Sequence, residues 1–171
     1  VGFWINGAGP AAATIRVNSD GSMTLSEGST DIGGTRTSVA MQAAEVLGVP
    51  VESINPQVVD TDSVGYTTGT GGSSVTFKTG WAAYEAAHDV KRQMIDRAAT
   101  LWEVDAATLE MPKNVVTSKA DPELKMTFAE LAGQLNDVGG PVVGSSNLAP
   151  PPIGGAYAGC IVDIEVDPDT G

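Results

Sequence analysis

Two stretches of this chain offer chemistry through the backbone. Gly28-Ser-Thr-Asp-Ile-Gly33-Gly34-Thr35-Arg36-Thr37 and Gly69-Thr70-Gly71-Gly72-Ser73-Ser74 are runs of small residues, each feeding a helical pattern. A glycine-rich loop at a helix start leaves N–H groups unpaired beside the positive end of the helix dipole, which makes a ready anion site. Two converging loops of this kind suit an extended ligand with more than one phosphate better than a lone ion. Two ordinary turns with N-caps would look much the same, and composition alone favours that reading. The second loop matches no familiar nucleotide signature. No lysine follows Gly72, as G-x-x-x-x-G-K-[ST] requires, and no third glycine completes G-x-G-x-x-G. Arg36 either neutralises a phosphate or sits solvated in the first helical turn.

The side chains nominate no general acid, base or nucleophile. Asp60 and Asp62 can be paired acids or hard-metal ligands, but Asp-Thr-Asp at a strand end is more often a solvated turn. His88 has no serine or cysteine partner at a recognisable spacing and reads as solvated or half-packed. Cys160 lies among apolar residues and reads as a small buried hydrophobe. Trp81 and Trp102 fall on a helical stripe and read as core. Glu27, Glu45 and Glu85 have no partner acid at a diagnostic spacing. With one cysteine and one histidine in 171 residues, an intrachain disulfide is ruled out and a Cys/His metal centre close to excluded.

Bulk properties narrow the partners. A net charge of −12 disfavours a nucleic-acid backbone. No apolar run approaches the length of a membrane span, and no signal peptide is visible. The first residues are apolar with no initiator methionine, and the last lead into a turn, so both ends are expected to continue in a longer polypeptide.

The elements that must hold the two loops follow in order. Thr14–Val17 and Ser22–Glu27 alternate as strands around the Asn18-Ser-Asp-Gly21 hairpin turn. A helix is predicted from Thr37 to Leu47, with Val39, Ala43, Val46 and Leu47 inward, Gly48 as its stop and Pro50 beyond. A strand is predicted within Ser53–Asp60, starting after Pro56. The second loop opens a long helix ending near Trp102. Its buried stripe is predicted at Trp81, Tyr84, Ala87, Val90, Met94, Ala98 and Leu101. Thr108–Met111 and Asn114–Ser118 read as short strands, 119–125 as a polar loop, and Thr127-Phe-Ala-Glu130 as a capping box opening a helix to about Leu135. Residues 139–155, rich in Gly, Pro, Ser and Asn, read as a connection. Tyr157–Val166 reads as a strand before the Asp167–Gly171 turn. The fold class expected is α+β, with mixed sheet lobes and packed helices.

Taken together, Asp31-Ile-Gly-Gly-Thr-Arg-Thr37, Ala44-Glu-Val-Leu-Gly-Val-Pro50, Asp60-Thr-Asp62, Thr70-Gly-Gly-Ser-Ser74 and Ala156-Tyr-Ala-Gly-Cys-Ile-Val-Asp-Ile-Glu-Val-Asp-Pro-Asp-Thr-Gly171 resemble the molybdenum hydroxylase family of xanthine dehydrogenase, aldehyde oxidase and carbon monoxide dehydrogenase type. No single motif decides this; their order and spacing do. The resemblance covers nearly the whole chain and places residues 1–171 in part of the second molybdopterin-binding domain of the large subunit.

It implies a molybdenum–molybdopterin cofactor in the cytosine dinucleotide form and hydroxylation of an aldehyde, a heteroaromatic or a similar small substrate with water. It also implies an iron–sulfur centre, with or without FAD, on partner chains or domains, and a cytoplasmic location with the periplasm as alternative. By the same resemblance, Gly33, Gly34, Thr35 and Thr37 meet the pterin and pyrophosphate from the first loop. Thr70, Gly71, Gly72, Ser73 and Ser74 do so from the second, with Gly72 bringing backbone close to the metal centre. The family's first loop usually reads Gly-Gln-Gly, and the glutamine position appears in this chain as Gly33. The family's catalytic glutamate falls beyond Gly171, so these residues alone are expected to be inactive. A non-catalytic homologue serving as a binding or assembly domain is the alternative.

Overall fold

The computed structural model describes residues 1–171. In chain order the elements are β1 (Gly2–Trp4), β2 (Ala11–Val17), β3 (Met23–Glu27), α1 (Thr35–Leu47), β4 (Ile54–Val58), α2 (Thr61–Val64), α3 (Val75–Trp102), β5 (Leu109–Glu110), β6 (Val115–Ser118), β7 (Lys125–Thr127), α4 (Phe128–Gly133), β8 (Val143–Leu148) and β9 (Ala156–Ala158). Short 3-10 turns precede β4 and β5 and follow α4. This is the α+β class expected.

The central sheet has the order β4-β3-β2-β8. The β2–β3 hairpin is antiparallel with Ile15 opposite Leu25, β8 pairs antiparallel with β2, and β4 runs parallel to β3. Alternation places Ala11, Ala13, Ile15 and Val17 of β2 and Met23 and Leu25 of β3 in the core. Glu27, next in that series, is buried with them at 2% exposure. The helices α1 and α3 pack on each other and on this sheet. A second sheet, β5-β6-β7, is antiparallel and adds Leu109 and Val116, with Phe128 and Leu131 of α4, to the same core cluster.

Several expectations change. The long helix does span the predicted range, and Ala87, Val90, Met94 and Ala98 are buried as the stripe requires. Trp81 and Tyr84, however, face outward at 39% and 44% exposure, while Ala82, Ala83 and Ala86 take the inner face. The helix lies too close to its neighbours for rings: a Cβ on Gly144 of β8 would sit 2.3 Å from the Ala86 carbonyl oxygen. Trp102, Leu101 and Val46 are half-buried rather than core.

Pro56 lies inside β4, not before it, opposite Leu25. On an edge strand a missing N–H costs no ladder bond. Residues 139–155 contain the sheet strand β8, whose small and polar residues gave no period-two signal. The strand predicted over Tyr157–Val166 is only β9, paired with β1 as Phe3 opposite Tyr157. Cys160 is exposed, as are Ile161, Val162, Ile164 and Val166. Local signals fare better. Gly48 ends α1 in the left-handed region and donates to the Ala44 carbonyl, and Thr127 with Glu130 makes the full capping box.

Candidate functional site

The two small-residue loops meet. Ile32 and Thr35 from the first, with Thr70, Gly71, Gly72, Ser73 and Ser74 from the second and Val75 and Thr76 of α3, line one cavity of about 400 Å³. Of the residues nominated from sequence, Thr35 and Thr70–Ser74 are on this wall. Gly33, Gly34 and Thr37 are not, although Gly34 caps α1 at positive φ and both glycines leave open space where a Cβ would stand.

The donors of the second loop are free. Thr68 N–H donates to the Pro10 carbonyl and Lys78 N–H to the Ser74 carbonyl, but the nine N–H groups from Gly69 to Phe77 donate to no acceptor in the chain. The first turn of α3 accounts for three of these by geometry, and no side chain caps it. In the first loop the N–H groups of Gly33, Gly34 and Thr35 are likewise unpaired, whereas Thr37 N–H is taken by the Gly34 carbonyl. Arg36 donates from Nε to Asp31 at 2.9 Å and from its backbone N–H to the same carboxylate. These bonds, the backbone one first, hold the Asp31 carboxyl below its usual pKa.

Both loops are anchored to adjacent residues of α3. Ser29 Oγ and Thr79 Oγ1 are hydrogen-bonded at 2.5 Å, fixing the root of the first loop. Lys78, fully buried, donates from Nζ to the Thr68 carbonyl (2.5 Å), Thr68 Oγ1 (2.6 Å) and the Gly69 carbonyl (3.1 Å). Burial holds its pKa below the ordinary lysine value. Beside the first anchor, Glu27 accepts from Ser29 N–H, and burial, opposed by that bond, raises its pKa.

Sequence reasoning missed a third segment. Gly7 N–H donates to the Gly72 carbonyl, and a Cβ on Gly7 would lie 3.1 Å from that same oxygen. Asn6 lines a second cavity of about 480 Å³ with Ser73, Thr76, Phe77, Trp81 and Tyr84, and its Oδ1 is buried without a partner. The two cavities share Ser73 and Thr76, so the unpaired backbone donors and an aromatic wall adjoin. The signal available was the Asn6-Gly-Ala-Gly-Pro10 run, which reads only as a breaker.

The remaining candidates stay apart. Asp60 caps α2, accepting from Asp62 N–H, and both belong to a solvated turn. His88 packs edge-on against Tyr84. No group of three or more His, Cys, Asp or Glu side chains gathers.

Comparison with known proteins gives this arrangement a context. The profile of the molybdopterin cofactor-binding domain family matches residues 1–171. The carbon monoxide dehydrogenase large chain of Afipia carboxidovorans is 33% identical over 165 residues, covering 91% of this chain and 20% of that protein. The putative xanthine dehydrogenase molybdenum-binding subunit of Escherichia coli is 28% identical over 171 residues, covering 94% and 23%. The nicotine 6-hydroxylase large subunit of Paenarthrobacter nicotinovorans is 28% identical over 121 residues, covering 70% and 15%. Among solved structures, Cu,Mo-CO dehydrogenase in its carbon monoxide reduced state superposes with a TM-score of 0.80 at 29% identity, over 90% of this chain and 22% of that one. Quinoline 2-oxidoreductase from Pseudomonas putida shares the fold, with a TM-score of 0.70 at 20% identity, over 86% of this chain and 22% of that one. The chain spans about a fifth of the length of these relatives.

Proposed function

The chain belongs to the molybdopterin cofactor-binding domain family of the xanthine and carbon monoxide dehydrogenase type, and on that premise we propose that its two loops hold the phosphates and pterin of a molybdenum cofactor within a larger oxidoreductase. The observation that supports this most is the run of nine N–H groups from Gly69 to Phe77 without an acceptor, beside a cavity closed by the first loop. Unpaired backbone donors at a helix start favour an anion, and here they act within a chain of net charge −12 that otherwise repels one. The residues present fit the group. Hydroxyls of Thr70 and Ser73 add donors on the same wall, Thr35 Oγ1 being spent on the Thr30 carbonyl, and the absence of a Cβ at Gly71, where one would meet open space, leaves backbone free to approach.

In this reading Thr70, Gly71, Gly72, Ser73 and Ser74 hold the ligand from one side, and Gly33, Gly34 and Thr35 offer N–H groups from the other. Thr37 contributes only its hydroxyl. When bound, the cofactor supplies two-electron redox chemistry in which a water-derived oxygen enters a substrate C–H bond. This chain's residues bind, orient and screen. No ionisable side chain lines the cavity, so proton transfer is assigned to other segments of the full protein. The cytosine dinucleotide form, iron–sulfur and flavin partners, and a cytoplasmic setting complete the assignment. The name of the nicotine enzyme favours a heteroaromatic substrate. No helix is long and apolar enough to cross a membrane.

The test is to purify the full native protein, measure molybdenum and bound cytidine nucleotide per chain, and assay oxidation of aldehydes and N-heterocycles with an artificial electron acceptor. Stoichiometric metal with turnover supports the reading. A protein with neither would favour a non-catalytic binding or assembly domain, for which the missing glutamine at Gly33-Gly34 speaks.

A further inference from the structure

We infer that Lys78 is a positioning residue of the cavity: its buried ammonium gathers the carbonyls of Thr68 and Gly69 and thereby turns the N–H groups of Gly69 and Thr70 outward as anion donors. This rests on the reading above, that the cavity holds the phosphates of a cofactor.

The placement of Lys78 is costly on its own terms. It is the fourth residue of α3, where the helix dipole disfavours a cation. Its side chain is fully buried, and neither ion pair in the chain involves it. No charged side chain contributes to its pKa, which burial alone lowers. Glu27, the buried carboxyl nearby on β3, takes its charge contributions from Asp31 and Arg36. A buried cation without a counter-ion persists only if its hydrogen bonds are satisfied.

They are, in a way that fixes its protonation. Thr68 Oγ1 donates its own proton to the Pro10 carbonyl, so it can only accept from Nζ. With the two carbonyls, Nζ therefore faces three acceptors, which match the three donors of an ammonium; a neutral amine would set its lone pair against one of them.

The consequence for the loop follows from peptide geometry. In a trans peptide the C=O and N–H point in opposite directions, and the chain has no cis bonds. Drawing the Thr68 carbonyl inward turns Gly69 N–H outward, and drawing the Gly69 carbonyl inward does the same for Thr70 N–H. Both belong to the unpaired run, and Thr70 is on the cavity wall. The ammonium also places a positive charge beneath the donors it orients. Thr79, the next residue, ties down the first loop through Ser29, so one helical turn sets both halves of the cavity.

The test uses the full-length subunit. Molybdenum and nucleotide content are measured in the holoprotein, and binding of dimethyl pyrophosphate, a dianion throughout the range, is measured on cofactor-free protein by calorimetry from about pH 7 to the ordinary lysine value of 10.5. Wild-type binding is expected to weaken as pH rises through the lowered Lys78 value. Lys78→Met should weaken binding about tenfold or more at neutral pH, the scale of one charge-assisted hydrogen bond, and lose that pH limb. Lys78→Gln, which keeps a donor without the charge, should bind between the two and also lack the limb. Wild-type binding that is flat across the range overturns the inference whether or not the variants fold. So does Lys78→Met binding with wild-type affinity and pH profile; in both cases the cofactor reading stands. If the wild-type protein carries no molybdenum and binds no pyrophosphate diester, the cofactor reading itself fails and the inference with it.

Discussion

Gly72 joins backbone geometry to ligand binding, so replacing it with valine gives a quantitative prediction. Its φ is +62°, and an ideal Cβ there would lie 3.3 Å from Gly7 Cα and 3.5 Å from Gly7 N. An L-residue held in the left-handed region costs about 1–2 kcal/mol, and a β-branched one lies at the upper end. Displacing Gly7 also weakens its N–H bond to the Gly72 carbonyl, worth about 1 kcal/mol. Together the native loop is disfavoured by about 2–3 kcal/mol, and ligand affinity should fall roughly thirty- to 150-fold. Because Gly72 lies outside the core cluster, the cofactor-free variant should melt close to cofactor-free wild type. The assay is molybdenum and nucleotide per chain after prolonged dialysis of the full protein, beside a thermal melt. Gly159→Ala, outside the site, where a Cβ meets no atom within 4 Å and φ is not positive, is the control and should retain the cofactor. A Gly72→Val protein that loads and retains molybdenum like the control would refute the reasoning.

Three further predictions concern the scaffold, each measured on the full protein. Gly144→Val drives a side chain against the Ala86 carbonyl and Val90, and denaturant titration should show a loss of about 3 kcal/mol or more. Glu27 has a folded-state pKa raised by burial, so its contribution is fully present below the unfolded value of 4.5 and is lost as pH rises through the folded value. Glu27→Gln should therefore flatten the decline of melting temperature above pH 4.5, and an unchanged slope would contradict the burial argument. Thr127→Ala removes one side of the capping box on α4 and should cost about 1 kcal/mol by denaturant titration.

What the sequence made legible was what local chemistry decides. The Asp20-Gly21 turn, the Gly48 stop and the Thr127–Glu130 box each depend on residues within a few positions, and each is found where its signal lies. Long-range packing was not legible. Periodicity scores Trp81 and Tyr84 as core because they are large, but the closeness of β8 and α1 reserves the inner face of α3 for alanine. Strand β8 carries Gly144, Ser145, Ser146 and Asn147, and only its pairing with β2 makes it a strand. Tyr157–Val166 reads as a strand from its β-branched residues, yet apart from β9 it has no partner within this chain.

The site divides in the same way. The two small-residue loops stand out by composition, and in the sequence only their repetition points to convergence on one cavity. Lys78 gave no signal, since a lysine in a helix reads as a solvated face until its three acceptors are seen. Asn6 and Gly7 gave only a break in pattern, because their partner, Gly72, lies far along the chain.

The central claim is that these loops hold a molybdenum–pterin dinucleotide, and the most direct measurement is the metal and nucleotide content of the full protein purified from its native source. The account predicts one molybdenum and one cytidine nucleotide per chain, both lost together in Gly72→Val. A native protein containing neither would contradict it.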